Sequence, residues 1–179
     1  MEIIEKLINL GIAKELIIII ISALPIIELR GALPVAINLF GMPWYQAFPL
    51  AVIGNMLPVP ILLLFLDSIA KIISKVNTGK RFIDWVFERT RRREKMIQRY
   101  ERIGLTLFVA IPLPFTGAWT GSIAAFLMGQ RFLFSFLSIF CGVLIAGAIV
   151  TTLCLMGWAG AIIAGIGLSI IAILGWWKV

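Results

Sequence analysis

Apolar runs alternate with a few sharply placed charges along this chain. Residues 16–27 carry no charge, Glu28 and Arg30 interrupt, and no further charge appears until Asp67. A basic stretch follows at 67–102, with 11 Lys and Arg against 5 Asp and Glu. Residues 103–130 are again uncharged, and so is the whole of 132–177. A spanning helix needs about 20 apolar residues. Residues 16–27 reach about 18 Å at 1.5 Å per residue, short of a hydrocarbon core of roughly 30 Å. The uncharged run 31–66 is too long for one span, and "GMPWY" at 41–45 divides it with a turn and two interfacial aromatics. Pro25, Gly31 and Pro34 surround the charges and oppose a continuous helix. Residues 16–40 are therefore expected to form a re-entrant hairpin, entering half-way and returning, with 46–66 as a full span.

The second half repeats the plan. Pro112, Pro114, Gly117 and Gly121 interrupt 103–130, predicting a second hairpin, and 132–177 is long enough for two spans divided near Gly157–Gly160, roughly 132–156 and 159–177. Ala23 and Pro25 match Ala110 and Pro112 at a spacing of 87. Ala36, Leu39, Gly41, Phe48 and Gly54 match Ala124, Leu127, Gly129, Phe136 and Gly142 at a spacing of 88. A hairpin returns to its own side and one span crosses, so the second copy starts from the opposite face. The expected fold is an all-α integral membrane protein of two inverted repeats. Each repeat is a re-entrant helical hairpin plus a transmembrane helix: 1–66, then an amphipathic basic linker at 67–102, then 103–157, then a last transmembrane helix at 158–179. Paired, Pro-interrupted short segments in two halves point to a transporter site.

Composition agrees. The chain is 61% hydrophobic and 14% charged, with mean hydropathy +1.05. Soluble domains are nearer half apolar and a quarter charged. Cys141 and Cys154 lie in apolar runs, and there is no His. No metal and no cofactor are expected. A nucleophile elbow, a His-based dyad, a P-loop and HExxH are all absent, so the chain is not expected to be an enzyme.

The basic linker sets the orientation. Cytoplasmic loops carry the excess of Lys and Arg, which places 67–102 inside, in a multi-pass protein of the cell membrane. The segment before residue 16, with three acids and two bases, falls outside. "GWWKV" puts the C-terminus at the cytoplasmic interface with Lys178 snorkelling. Ile69, Ile72, Ile73 and Val76 follow helical spacing in the linker. That fits a basic helix on anionic headgroups or an ordinary positive-inside loop. Nucleic acid is not an expected partner, because the basic run is short and tethered to the membrane.

Glu28 and Arg30 are the foremost candidates for chemistry. A charge at mid-bilayer costs roughly 3 kcal/mol on insertion scales, so something must offset it. On turn or extended backbone the two side chains can face one polar cavity together. One reading is a salt bridge that locks the hairpin tip. The other is a substrate or proton site. A carboxyl in a dry pocket keeps its proton unless a cation is near, and arginine grips phosphate or carboxylate bidentately. Asn38, Asn55 and Thr116 are further polar groups in apolar context. Asn55 is expected to bond backbone freed near Pro58, and Thr116 to meet carbonyls freed by Pro114 or to touch substrate. Pro25, Gly31, Pro34, Pro112, Pro114 and Gly117 are expected to shape the hairpins, and Gly117 and Gly121 to let them pack closely.

"PIIELRGALPVAI", the basic linker and "FVAIPLPFTGAWTGSIAAFLMG" resemble the small multidrug export family, which is placed with the DedA superfamily. The resemblance covers nearly the whole chain, and its most specific element is Glu-x-Arg-Gly-x-x-Pro. It implies two facing hairpins with inverted symmetry, and movement of lipids with proton dependence. Only Glu28 and Arg30 carry over as functional residues. DedA proteins proper also place arginine in the second hairpin, and "IPLPFTGAWTG" has none. The expected function is a transporter or lipid translocase for a lipid or amphiphile, open to proton coupling. Membrane lipids are its surroundings, and nothing opposes a homo-oligomer. The alternatives are export of cationic or lipophilic compounds, and a structural membrane protein. The linker's charge yields the first prediction. A cysteine placed between Lys80 and Arg93 is labelled by an impermeant maleimide only from the cytoplasmic side, and labelling of intact cells from outside refutes the orientation.

Overall fold

The computed structural model describes residues 12–73, 97–112 and 116–176, with side chains over 12–66, 103–112 and 116–167. Among them every regular element is helical. The order is α1 (Lys14–Ala23), α2 (Glu28–Pro34) running into a π-helical turn (Val35–Leu39), α3 (Trp44–Met56), α4 (Pro58–Ile73), α5 (Ile97–Ala110), α6 (Ala118–Leu127), α7 (Phe132–Leu155) and α8 (Trp158–Trp176).

Two stretches are long and apolar enough to cross a bilayer. They are Trp44–Leu66, which is α3 continued into α4, and Phe132–Leu155, which is α7. Only 39% and 44% of their apolar windows are buried, so the larger part of each faces outward. A soluble protein's core helix would be mostly covered. Ile53, Ile61, Leu64, Phe65, Leu133 and Leu137 form an outer surface of large apolar side chains, and such a surface is stable only in lipid. The chain is a membrane protein.

Proline and glycine set the joints. Pro25 lies in the break between α1 and α2, and Pro112 in the break between α5 and α6. The helix α3–α4 is interrupted at Leu57, ahead of Pro58. Gly41 (φ 64°) and Gly129 (φ 66°) occupy the left-handed region just before α3 and α7, where a side chain would be strained. Their N-caps, Pro43 and Arg131, share one backbone shape, with φ −63° and −67° and ψ 141° in both.

The matched glycines of the two halves do matching work. A Cβ on Gly54 would strike the Ile19 carbonyl and Ser22, letting α3 cross α1 in near backbone contact. A Cβ on Gly142 would strike the Thr106 carbonyl and Val109, giving α7 the same approach to α5. These are the two most extensive helix pairings in the structure. Ser22 donates to the Ala51 carbonyl at the first crossing. Small residues at a crossing replace the hydrophobic effect, which is absent between helices in lipid, with close van der Waals packing.

One expectation needs correction. Arg30 lies on helix rather than on turn or extended backbone, while Glu28, at the start of that helix, keeps a left-handed φ of 51°. The break is confined to Leu24–Ile27, and the helix resumes at Glu28 with Gly31 and Pro34 inside it. The joint is short because Glu28 N–H still bonds the Leu24 carbonyl and Gly31 N–H the Ile27 carbonyl. Pro34 withdraws a donor from the Arg30 carbonyl, and the helix widens to the π turn directly after it. Within 67–102, α4 runs to Ile73 and α5 begins at Ile97. Residues 74–96, the acids before residue 12, Pro114, and Trp177 and Lys178 lie outside the described residues.

The crossings generate a stability prediction. Gly54→Ala forces α1 and α3 apart and lowers stability by about 1–3 kcal/mol. Gly104→Ala on α5, where a Cβ meets nothing within 4 Å, is neutral or gains up to about 1 kcal/mol of helix propensity. Thermal unfolding in detergent checks both.

Candidate functional site

The two breaks meet, and each is closed by a side chain from the other half. Arg30, on the first turn of α2, reaches the break after α5. Its Nη2 donates to the Thr116 carbonyl at 2.6 Å, to Thr116 Oγ1 at 3.2 Å and to the Ile111 carbonyl at 3.3 Å. Thr116 Oγ1 donates in turn to the Ile111 carbonyl at 2.8 Å. In the opposite direction Trp119, on the first turn of α6, donates its indole N–H to the Ala23 carbonyl at the end of α1, at 3.1 Å. Carbonyls that follow the last turn of a helix have no partner in the chain, and hydrocarbon offers none.

Glu28 closes the remaining end. Its carboxylate accepts the backbone N–H of Trp119 and lies against Gly117, the N-cap of α6. A Cβ on Gly117 would collide with the carboxylate, which is the reason glycine stands there. Gly117 N–H goes to Thr120 Oγ1 at 3.0 Å, half of a capping box. The polarity is favourable at both ends. An anion faces the positive N-terminus of α6, and a cation faces the carbonyl end of α5. Glu28 is 6% exposed and has φ 51°, and it is the one described residue other than glycine with a positive φ. A left-handed conformation costs a residue with a side chain roughly 1–2 kcal/mol. Such strain persists only where the surroundings over-determine it, which marks functional sites.

Beside this junction lies a cavity of about 500 Å³. Arg30, Pro34 and Asn38 line it from the first half, Ile111 and Pro112 from the second break, and the ends of α7 and α8 complete it. Its walls are otherwise apolar, with Ile149, Leu153, Cys154 and Ile163 among them. Pockets of this size and character take small amphiphilic or apolar ligands.

The expected site residues therefore separate. Glu28, Arg30 and Thr116 come together with Pro112 and Gly117 at the junction. Asn38 is exposed and joins only the cavity. Asn55 is buried in α3, and its Oδ1 has no hydrogen-bond partner among the described residues. Gly31 abuts the Ile27 side chain and Gly121 abuts Val109 and Ile139. Pro25 is exposed in the first break. Sequence reasoning passes over Trp119 and the Ile111 carbonyl. The indole in "TGAWTG" reads as one more apolar group until the helix end opposite it is known.

Among the described residues no group of His, Cys, Asp and Glu could hold a metal ion. Fold and junction together define a small helical membrane protein built on interrupted helices. The family profile described as "Putative small multi-drug export protein" matches residues 28–149, from the strained glutamate to the last third of α7. The chain belongs to that family. No curated protein and no solved structure matches it.

The junction predicts a coupling measurable by a double-mutant cycle. Arg30→Ala strands carbonyls and leaves Glu28 buried without its cation, costing about 3–5 kcal/mol. Removing Glu28 as well, as Glu28→Gln with Arg30→Ala, recovers part of that loss. Additive effects in detergent unfolding refute an energetic link between the two.

Proposed function

We propose that this chain is a membrane transporter for a lipid or another amphiphile, with the cavity beside the Glu28–Arg30 junction as its substrate site. The observation that carries the reading is that cavity, apolar along its walls and bordered by a guanidinium and a carboxamide. An amphiphile needs that pairing, a dry groove for its tail and a polar station for its head. The family's description favours a second reading, export of lipophilic compounds, through the same cavity.

In this reading the two halves are inverted repeats. Support comes from the matched glycine crossings at Gly54 and Gly142 and the matched left-handed turns at Gly41 and Gly129. The helices α1–α2 and α5–α6 are then re-entrant hairpins that enter from opposite faces, as in the DedA type. The Lys- and Arg-rich linker and the C-terminus lie in the cytoplasm. Alternating access rocks one repeat against the other, and the bonds of Glu28, Arg30 and Trp119 must be exchanged as it does so. A proton reaching Glu28 weakens its hold on the N-terminus of α6, which gives a route to proton coupling.

The test uses protein reconstituted in liposomes, with movement of a fluorescent phospholipid, a polyprenyl phosphate and a cationic dye followed side by side. Wild type is expected to move at least one of the two lipid amphiphiles. Glu28→Gln with Arg30→Gln is expected to stay folded and to transport nothing. A folded double variant that transports at the wild-type rate removes the pair from the mechanism. Transport of the dye alone turns the reading to the second one.

A further inference from the structure

The cavity has one wall a single helix thick. Gly157, Gly160, Ala161, Ala164 and Gly167 of α8 and its leading turn all line it, a spacing that places them on one helical face. The other face looks outward, with Trp158 88%, Ile162 60% and Ile166 55% exposed. In a membrane protein that outer face meets lipid. On that side cavity and bilayer are thus separated by α8 alone, and Ile163 is the one large side chain that the described part of α8 adds to the lining.

The attachment of α8 is also one-sided. Among the described elements its extensive packing is with α7 only. The two are joined by a turn at Gly157, which has φ 56° and open space around the position of a Cβ. Gly160 holds the helix close to α7, since a Cβ there would strike the Leu153 carbonyl. Across the cavity, α2 and the segment Ile111–Pro112 face α8 without comparable packing. A seam without extensive packing across it thus runs between α8 and that wall.

We propose that α8 is a side door and that the substrate enters the cavity from the lipid, through the seam between α8 and the wall formed by α2 with the segment Ile111–Pro112. The proposal rests on the cavity being the substrate site, and it adds the route and one requirement on the substrate. The substrate is a molecule already dissolved in the bilayer by a hydrocarbon tail. The tail slides in along the glycine and alanine face, and the polar head stops at Arg30 and Asn38, the two polar side chains of the lining. An aqueous route is disfavoured by the walls themselves, which give water few hydrogen-bond partners. Among the described elements, displacing α8 disturbs mainly its contact with α7 and leaves the junction of the two breaks in place.

Cross-linking tests this. In a background with Cys141→Ser and Cys154→Ala, the pair Pro34→Cys with Gly167→Cys is joined by a short bismaleimide in liposomes. The pair Ile111→Cys with Ala164→Cys spans the same seam from the other half and serves if the first does not fold. The probe is dansylaminoundecanoate, a single-chain amphiphile whose fluorescence reports binding. The uncross-linked pair is its own reference, and each single-cysteine chain carrying the same reagent at one end controls for bulk. Cross-linking before the probe is expected to slow its uptake at least tenfold, and cross-linking after the probe is bound to slow its release by a similar factor. Uptake and release at the uncross-linked rate overturn the door while leaving the cavity as the site. If the uncross-linked chain takes up no probe, the amphiphile reading fails, and the door fails with it.

Discussion

An interrupted helix in lipid has nowhere to put its broken ends, and the rest of this structure follows from that constraint. Each break frees backbone carbonyls on one side and N–H groups on the other, and hydrocarbon can pair neither. Here the ends are settled across the molecule. Arg30 takes the carbonyls of Ile111 and Thr116, Trp119 takes that of Ala23, and Glu28 takes the N-terminus of α6. Neither interrupted helix pair is complete without the other, so the two halves are bound by backbone need as well as by packing. The glycine crossings bring them close enough for side chains to span the distance. They also leave room for the cavity beside the junction.

This arrangement changes how the two charges are understood. A bare ion pair inside a membrane protein is weak evidence for stability, because desolvation offsets most of its attraction. Glu28 and Arg30 differ because each is also bonded to a helix terminus of opposite polarity. Desolvation is offset by three partners: the other charge, the helix end, and the hydrogen bonds. Under the proposed function the structural and functional readings cease to be alternatives. Groups that hold the two halves together through helix ends are then the groups whose bonds are exchanged when the halves move. The strain at Glu28, with φ 51°, fits that double duty, since a relaxed rotamer on a relaxed backbone would favour a single arrangement.

Much of this is legible because a bilayer is a strict solvent. Length and charge placement separate full spans from short segments. Pro25 and Pro112 mark the breaks, and Gly41, Gly54, Gly129 and Gly142 mark turns and crossings at one repeating interval. Less legible is local geometry decided by distant partners. The residues from Glu28 to Pro34 read as a turn because they hold a glycine, a proline and two charges. They are helical because the N-terminus of α6 and the carbonyls after α5 hold the charges in place from the first turn. Trp119 gives no signal at all, since a tryptophan's hydrogen bond depends on what lies opposite it. Asn55 gives no sign in the sequence of its burial in α3, where its carbonyl oxygen has no donor among the described residues.

The asymmetry between the halves carries the last step. The proposed repeat pairs α1 with α5, α2 with α6, and the span α3–α4 with α7, and it leaves α8 without a counterpart among the described elements. A purely symmetric molecule would offer the same surface to both faces of the membrane. The added helix covers one flank of the junction, on the side where Arg30 and Asn38 border the cavity. It is joined through a glycine turn and presents glycine and alanine to the cavity, with Ile163 as the one large side chain of its described part. Those choices give up packing that a leucine-rich face would have supplied, roughly 1 kcal/mol or more for each large side chain forgone. A helix added only for stability would fill that volume. One that encloses it without filling it is suited to an occupant that comes and goes.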